Sequence, residues 1–227
     1  MQNGIYLPEL TKVNKLILIV IGAVFLLTSI LSQGMNVGTM GILGLSSQGI
    51  IPGLITYPLI SLGIVEVVFN ALLFWFIGCD LERSIGTKKY LGFLAASVIG
   101  GGIIFLLCSF LFTRGGLTLT GLTGVTSAML VVYAIMNPEQ VFSFMLLFPI
   151  KAKYFCGLLL LIQLYMGIFS PGAVLAWGHI GAVISGVLFY IFTSNRKIDL
   201  GFKMPKMKKR RKTHLHVVHD DDKITWQ

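Results

Sequence analysis

The sequence predicts an all-α membrane protein, a bundle of six membrane-crossing helices with both termini on the cytoplasmic side. Three observations predict it. The chain is 55% hydrophobic and 12% charged, about half the charged fraction of a soluble domain. Its apolar residues form long, nearly charge-free runs, so the surrounding solvent is lipid. The net charge of +9 is concentrated after residue 195, directly beyond the last apolar run, where a cytoplasmic tail meets anionic lipid headgroups. That placement, and the lack of aromatic residues interleaved with the basic ones, argues against a nucleic-acid partner.

Residues 1–13 read as a cytoplasmic N-terminus, 14–195 as the membrane domain and 196–227 as a basic, disordered cytoplasmic tail. The first span, 14–32, has no small-residue cleavage site after it and reads as a retained helix rather than a signal peptide. The stretch 33–55 is rich in Gly and Ser without a charge, which predicts an irregular external loop. The second span, 56–78, places Pro58 in its first turn and passes into a charged loop, Gly78-Cys79-Asp80-Leu81-Glu82-Arg83, closed by Lys88 and Lys89. The third, 90–112, contains Gly100-Gly101-Gly102, which admits a neighbouring backbone closely. Residues 117–120 have poor helix credentials. The fourth span, 122–136, is stopped by Asn137-Pro138. The fifth, 153–169, is closed by Ser170-Pro171-Gly172, and the sixth is 174–193. This arrangement puts Lys12, Lys15, Arg83, Lys88, Lys89, Lys151, Lys153 and the tail on one face and Arg114 on the other, which orients the bundle. Cys79, Cys108 and Cys156 are odd in number and lack metal-ligand spacing; they read as packing residues. No metal or cofactor is expected.

The fourth span is short. Its length covers roughly 22 Å at 1.5 Å per residue, against a hydrocarbon core of about 30 Å. With its inner end fixed by Pro138, its outer end is submerged, and residues 115–121 dip into the membrane, where non-helical backbone needs protein or a water-filled cavity around it. Thr123 is then roughly 9 Å deep, His179 roughly 8 Å and Glu66, counted from Pro58, roughly 12 Å. Intramembrane ionisable groups face one another or water, so the three converge on one water-accessible pocket. His179, Ala182 and Gly186 line one side of the last helix, and Gly124 and Ala128 offer a matching small-residue face on the fourth.

At these residues the chain resembles the rhomboids, a family of six-helix intramembrane serine proteases. The resemblance covers most of residues 50–195. Glu66-Val67-Val68-Phe69-Asn70 stands where the family has His-x-x-x-Asn, followed by Gly78 and by Glu82 to Gly86 in the family's Glu-x-x-x-Gly pattern. Gly121-Leu122-Thr123-Gly124 stands in place of Gly-x-Ser-Gly. His179 and Gly186 match His-x-x-Gly-x-x-x-Gly, with Ala182 in the middle Gly position. The resemblance implies Thr123 as nucleophile, His179 as base, Asn70 and the Thr123 amide as oxyanion donors with Glu66 in the histidine's place beside them, and Gly121, Gly124, Ala182 and Gly186 as packing positions. It also implies membrane-spanning segments of other proteins as partners, and a multi-pass location, in the cell membrane if the source is bacterial.

The departures fall on the chemistry. Thr123 brings an extra methyl and stiffer rotamers than serine, and a hydroxyl at this place also suits plain capping of a helix start. An ionised Glu66 would repel a developing oxyanion, where one missing donor alone costs about 3 kcal/mol. A protonated Glu66 would donate instead. Paired with His179 it would orient that base, or simply tie two helices together. Ser127 takes the place where several members have a tyrosine, and the Trp-Arg pair common in the first external loop is absent around Ile51-Pro52-Gly53-Leu54. Two functions follow: an intramembrane endopeptidase with a Thr123–His179 dyad, or a pseudoprotease that binds client helices without cutting. A proton or ion pathway through Glu66 and His179 is a minor third, since no polar residues continue inward. In the tail, Lys203 to Lys212 holds seven basic residues for anionic lipid; His214, His216 and His219 with Asp220 to Asp222 lack a fold to make them a metal site.

Overall fold

The computed structural model describes residues 9–34, 43–46, 53–61, 63–112, 116–142, 150–170 and 172–194. Arg114, Pro171, most of 33–55 and the tail from 196 lie outside the described residues. Among the described residues five helices are long and apolar enough to cross a membrane: α1 (Lys12–Gly34), α3 (Ile64–Ile85), α4 (Thr87–Phe112), α6 (Ala152–Phe169) and α7 (Ala173–Thr193). A further apolar helix, α5 (Thr123–Met136), is shorter. Between α1 and α3 come the strand β1 (Leu45–Ser46) and a single turn, α2 (Gly53–Thr56). β2 (Thr118–Leu119) precedes α5, and a hairpin of β3 (Val141–Phe142) and β4 (Ile150–Lys151) joins α5 to α6.

The short helix is the enclosed one. From Gly124 to Ala134 nearly every residue of α5 is buried, while α1, α4 and α6 turn Leu16, Leu26, Phe110, Leu161 and Phe169 outward. Apolar side chains on the outer surface and a small helix at the centre are the packing of a chain whose solvent is hydrocarbon. The most extensive helix–helix contact among the described residues is α4 with α7. A Cβ at Gly101 would come within 2.9 Å of Ala182 Cβ, and one at Gly181 within 2.6 Å of Ile104 Cβ, so both backbones approach through missing side chains.

Two stretches with poor helix credentials satisfy each other. β1 pairs antiparallel with β2, Leu45 opposite Leu119 and Ser46 opposite Thr118. Leu45 and Leu119 are buried with Tyr57, Phe105 and Val174, so the backbone that dips beside α5 finds the protein cover it requires.

The structure moves both ends of the second span. Pro58 opens not a long helix but one 3₁₀ turn, Tyr57–Leu59, because its fixed φ suits either kind of first turn. The buried Tyr57 donates its hydroxyl to Val98 O at 2.9 Å and accepts the Gly121 amide at 3.0 Å. The membrane helix starts at Ile64, after the extended Gly63, and Glu66 falls in its first turn rather than two turns in. At the other end, the charged stretch expected as a loop is helical through Ile85 and stops at Gly86, whose φ of +86° ends it. Glu82 is the reason the helix can continue. It is 6% exposed and accepts from Asn14 Nδ2 at 2.9 Å, Thr87 Oγ1 at 2.8 Å and Thr11 Oγ1, while Tyr90 donates to Asn14 Oδ1 at 2.8 Å. Midway along α3, Phe74–Gly78 forms a wider, π-type turn, and there Gly78 leaves room for the Asn14–Tyr90 pair.

Candidate functional site

Gly121 makes the turn into α5. Its φ is +91°, a region costly to residues with a Cβ, and a Cβ there would run into Glu66 Oε1. Expected as a helix-packing position, Gly121 instead supplies a backbone turn and the space for a carboxylate. Gly124 does pack: a Cβ on it would lie 3.0 Å from Ala182 Cβ and 3.3 Å from His179 Cα. Ala182 thus meets α4 at Gly101 and α5 at Gly124, and Gly186 sits against Ala128 and Phe93.

Thr123 is the first residue of α5. The residue before it, Leu122, holds the capping position and has no side chain able to cap. The Thr123 hydroxyl turns to Glu66 Oε1, at 3.5 Å, long for an O–H···O contact. One turn along α3, Asn70 is 2% exposed and accepts from Thr126 Oγ1 at 3.1 Å. Two polar contacts, i and i+4 on α3 and i and i+3 on α5, therefore stitch these helices on facing stripes. Among the described residues Asn70 Nδ2 is buried without a partner.

His179 reaches this site by packing. Its Cδ2 lies 3.5 Å from where a Gly124 Cβ would be, on the residue next to Thr123. No hydrogen bond joins Thr123 to His179 among the described residues. The structure thus brings Thr123 together with Glu66, Asn70 with Thr126, and His179 with Gly124.

Two polar groups beside the site went unread in the sequence. Thr126 is three residues after Thr123, a spacing that marks the same helix face. Gln163, on α6, donates to Ser127 Oγ at 2.8 Å, and its uncharged amide was hidden in an apolar run. No group of His, Cys, Asp or Glu among the described residues is arranged to hold a metal.

A shell of apolar helices around a short central one, with a hydroxyl, a carboxylate, an amide and an imidazole gathered at that helix's start, defines an integral membrane protein with a partly buried polar site. The family model of the rhomboid domain matches residues 48–196, well over half of the chain, and the chain belongs to the rhomboid family. A search of curated proteins finds no match.

Proposed function

We propose that this protein binds membrane-spanning segments of other membrane proteins and holds them without cutting them, as a six-helix rhomboid-fold pseudoprotease with both termini cytoplasmic. The observation that carries the reading is Glu66 at the Thr123 hydroxyl. A base must be within hydrogen-bond reach of the proton it removes, and here the hydroxyl faces a carboxylate on α3 instead of the imidazole on α7. The same carboxylate lies against Gly121, at the turn before the first amides of α5, and when ionised it opposes the charge a tetrahedral intermediate would develop. The helix N-terminus favours that carboxylate as it would any anion.

Cleavage is the second reading, and one observation favours it. The unpartnered Asn70 Nδ2 is a buried donor of the kind an oxyanion would take, with Thr123 as nucleophile and His179, packed on Gly124, as base. The two readings separate on purified protein in liposomes with a single-span substrate. Binding without cleavage is expected from the unaltered chain, and Glu66→His combined with Thr123→Ser is expected to create cleavage that His179→Ala removes. Cleavage by the unaltered chain that disappears in both Thr123→Ala and His179→Ala would overturn the pseudoprotease reading.

A further inference from the structure

At the end of the bundle opposite Thr123 lies a cavity of about 280 Å³. It opens where the last turns of α3, α5 and α7 meet the first turn of α4, and roughly 20 Å of α5 separates it from the candidate site. Its walls divide by chemistry. Phe93, Met136 and Phe189 form the apolar part; Ser84, Lys89 and Thr193 form the polar part. No carboxylate is among its lining residues. Lys89 is exposed and donates to Thr193 O at 3.1 Å, which holds the ammonium over the cavity and leaves two of its three N–H groups to a ligand. Lys88 precedes it in the same turn, and the nearby Glu82 carboxylate is already taken by Thr11, Asn14 and Thr87.

We propose that this cavity binds an anionic phospholipid. The phosphodiester meets the Lys89 ammonium, a charge-assisted contact, beside Ser84, whose hydroxyl donates to Asp80 O at 2.7 Å, and the glycerol and first methylenes lie against Phe93, Met136 and Phe189. The volume is just under the range of small-molecule pockets, so it takes the headgroup region and leaves the acyl chains along the apolar flank of the bundle. The Lys89 ammonium at the rim turns away cations.

The test is native mass spectrometry of the full chain in dodecyl maltoside, titrated with dioctanoyl phosphatidylglycerol, dioctanoyl phosphatidylcholine or inorganic phosphate. One phosphatidylglycerol is expected to be retained, Lys89→Arg to keep it, and Lys89→Gln to weaken it about tenfold, the order of one charge-assisted contact. A chain with the seven basic residues of 203–212 changed to Gln is expected to retain it too, which separates the cavity from the tail. Phe189→Trp, which fills the apolar wall, is a second variant expected to weaken binding should Lys89→Gln fail to fold. Equal retention of phosphatidylcholine, displacement by inorganic phosphate at equal concentration, or unchanged binding in both Lys89→Gln and Phe189→Trp would overturn the proposal.

Discussion

The helix α3 carries a glutamate near each end, and the two live differently. Glu82 is buried among donors from three places in the chain, Thr11, Asn14 and Thr87, at hydrogen-bond lengths. Glu66 stands half-buried at the opposite end, with the Thr123 hydroxyl 3.5 Å away and a glycine turn shaped to admit it. A carboxylate among several short donors is a joint: it fixes α1, α3 and α4 to one another. A carboxylate at a helix start, beside the Thr123 hydroxyl, stands at the candidate site. The same residue type thus serves architecture at one end and faces the candidate site at the other.

The contrast breaks first at Glu82. Replacing it with Ala leaves buried donors unpaired and is expected to lower the unfolding free energy by about 3 kcal/mol or more, read as thermal or denaturant unfolding in detergent. Glu66→Gln is expected to cost far less in the same measurement; an equal loss would make both glutamates structural. Next in size is Gly121→Ala. Its φ alone costs roughly 1–2 kcal/mol, and the overlap with Glu66 adds to it. A double-mutant cycle with Glu66→Ala is expected to recover about 1 kcal/mol, whereas strict additivity would mean that the carboxylate does not fill the glycine's space. Thr126→Val removes the hydroxyl on Asn70 while keeping shape, and a loss of about 1 kcal/mol is expected.

The smallest effect belongs to the exposed cluster before α6. Glu139 contacts Lys151 and Lys153 at 2.7 and 2.5 Å, and hydrogen bonds from these lysines hold its carboxyl below the ordinary value of 4.5. A depressed folded-state pKa contributes stability that is present above the unfolded value and is lost as pH falls through the folded one. Glu139→Gln is therefore expected to flatten only the acid side of a melting-temperature profile below about pH 4.5, and high salt is expected to mask it. A large effect at neutral pH would show that this cluster does more than decorate the surface.

The apolar runs, their stops and the shortness of α5 were legible because length, hydropathy and Asn137-Pro138 are local signals. The start of α3 was not. Pro58 announces a first turn, but whether that turn continues depends on Tyr57 finding Val98 and Gly121, forty or more residues away. Glu82 looked like a loop residue because a charge in an apolar chain usually marks water. Its partners at Thr11 and Asn14 are uncharged and lie at the start of another helix, so nothing near it in the sequence announces them. At the candidate site, depth singled out Thr123, Glu66 and His179, and the resemblance added Asn70; which side chain the Thr123 hydroxyl faces was a matter of ångströms that spacing does not carry.

The wide turn at Phe74–Gly78 has a consequence for how α3 tolerates change in length. Twelve residues separate Asn70 from Glu82, and on a regular helix at about 100° each they would stand roughly 120° apart. A π-type turn absorbs one additional residue and takes about 100° back, which brings Asn70 and Glu82 close to a single stripe. The turn therefore behaves as an absorbed insertion. Deleting one residue within 74–77 is expected to heal it into regular helix with both ends still facing their partners, whereas a deletion between Glu66 and Asn70 would rotate one away from the other. Length variation in this helix has a safe place, and it lies between the joint and the site.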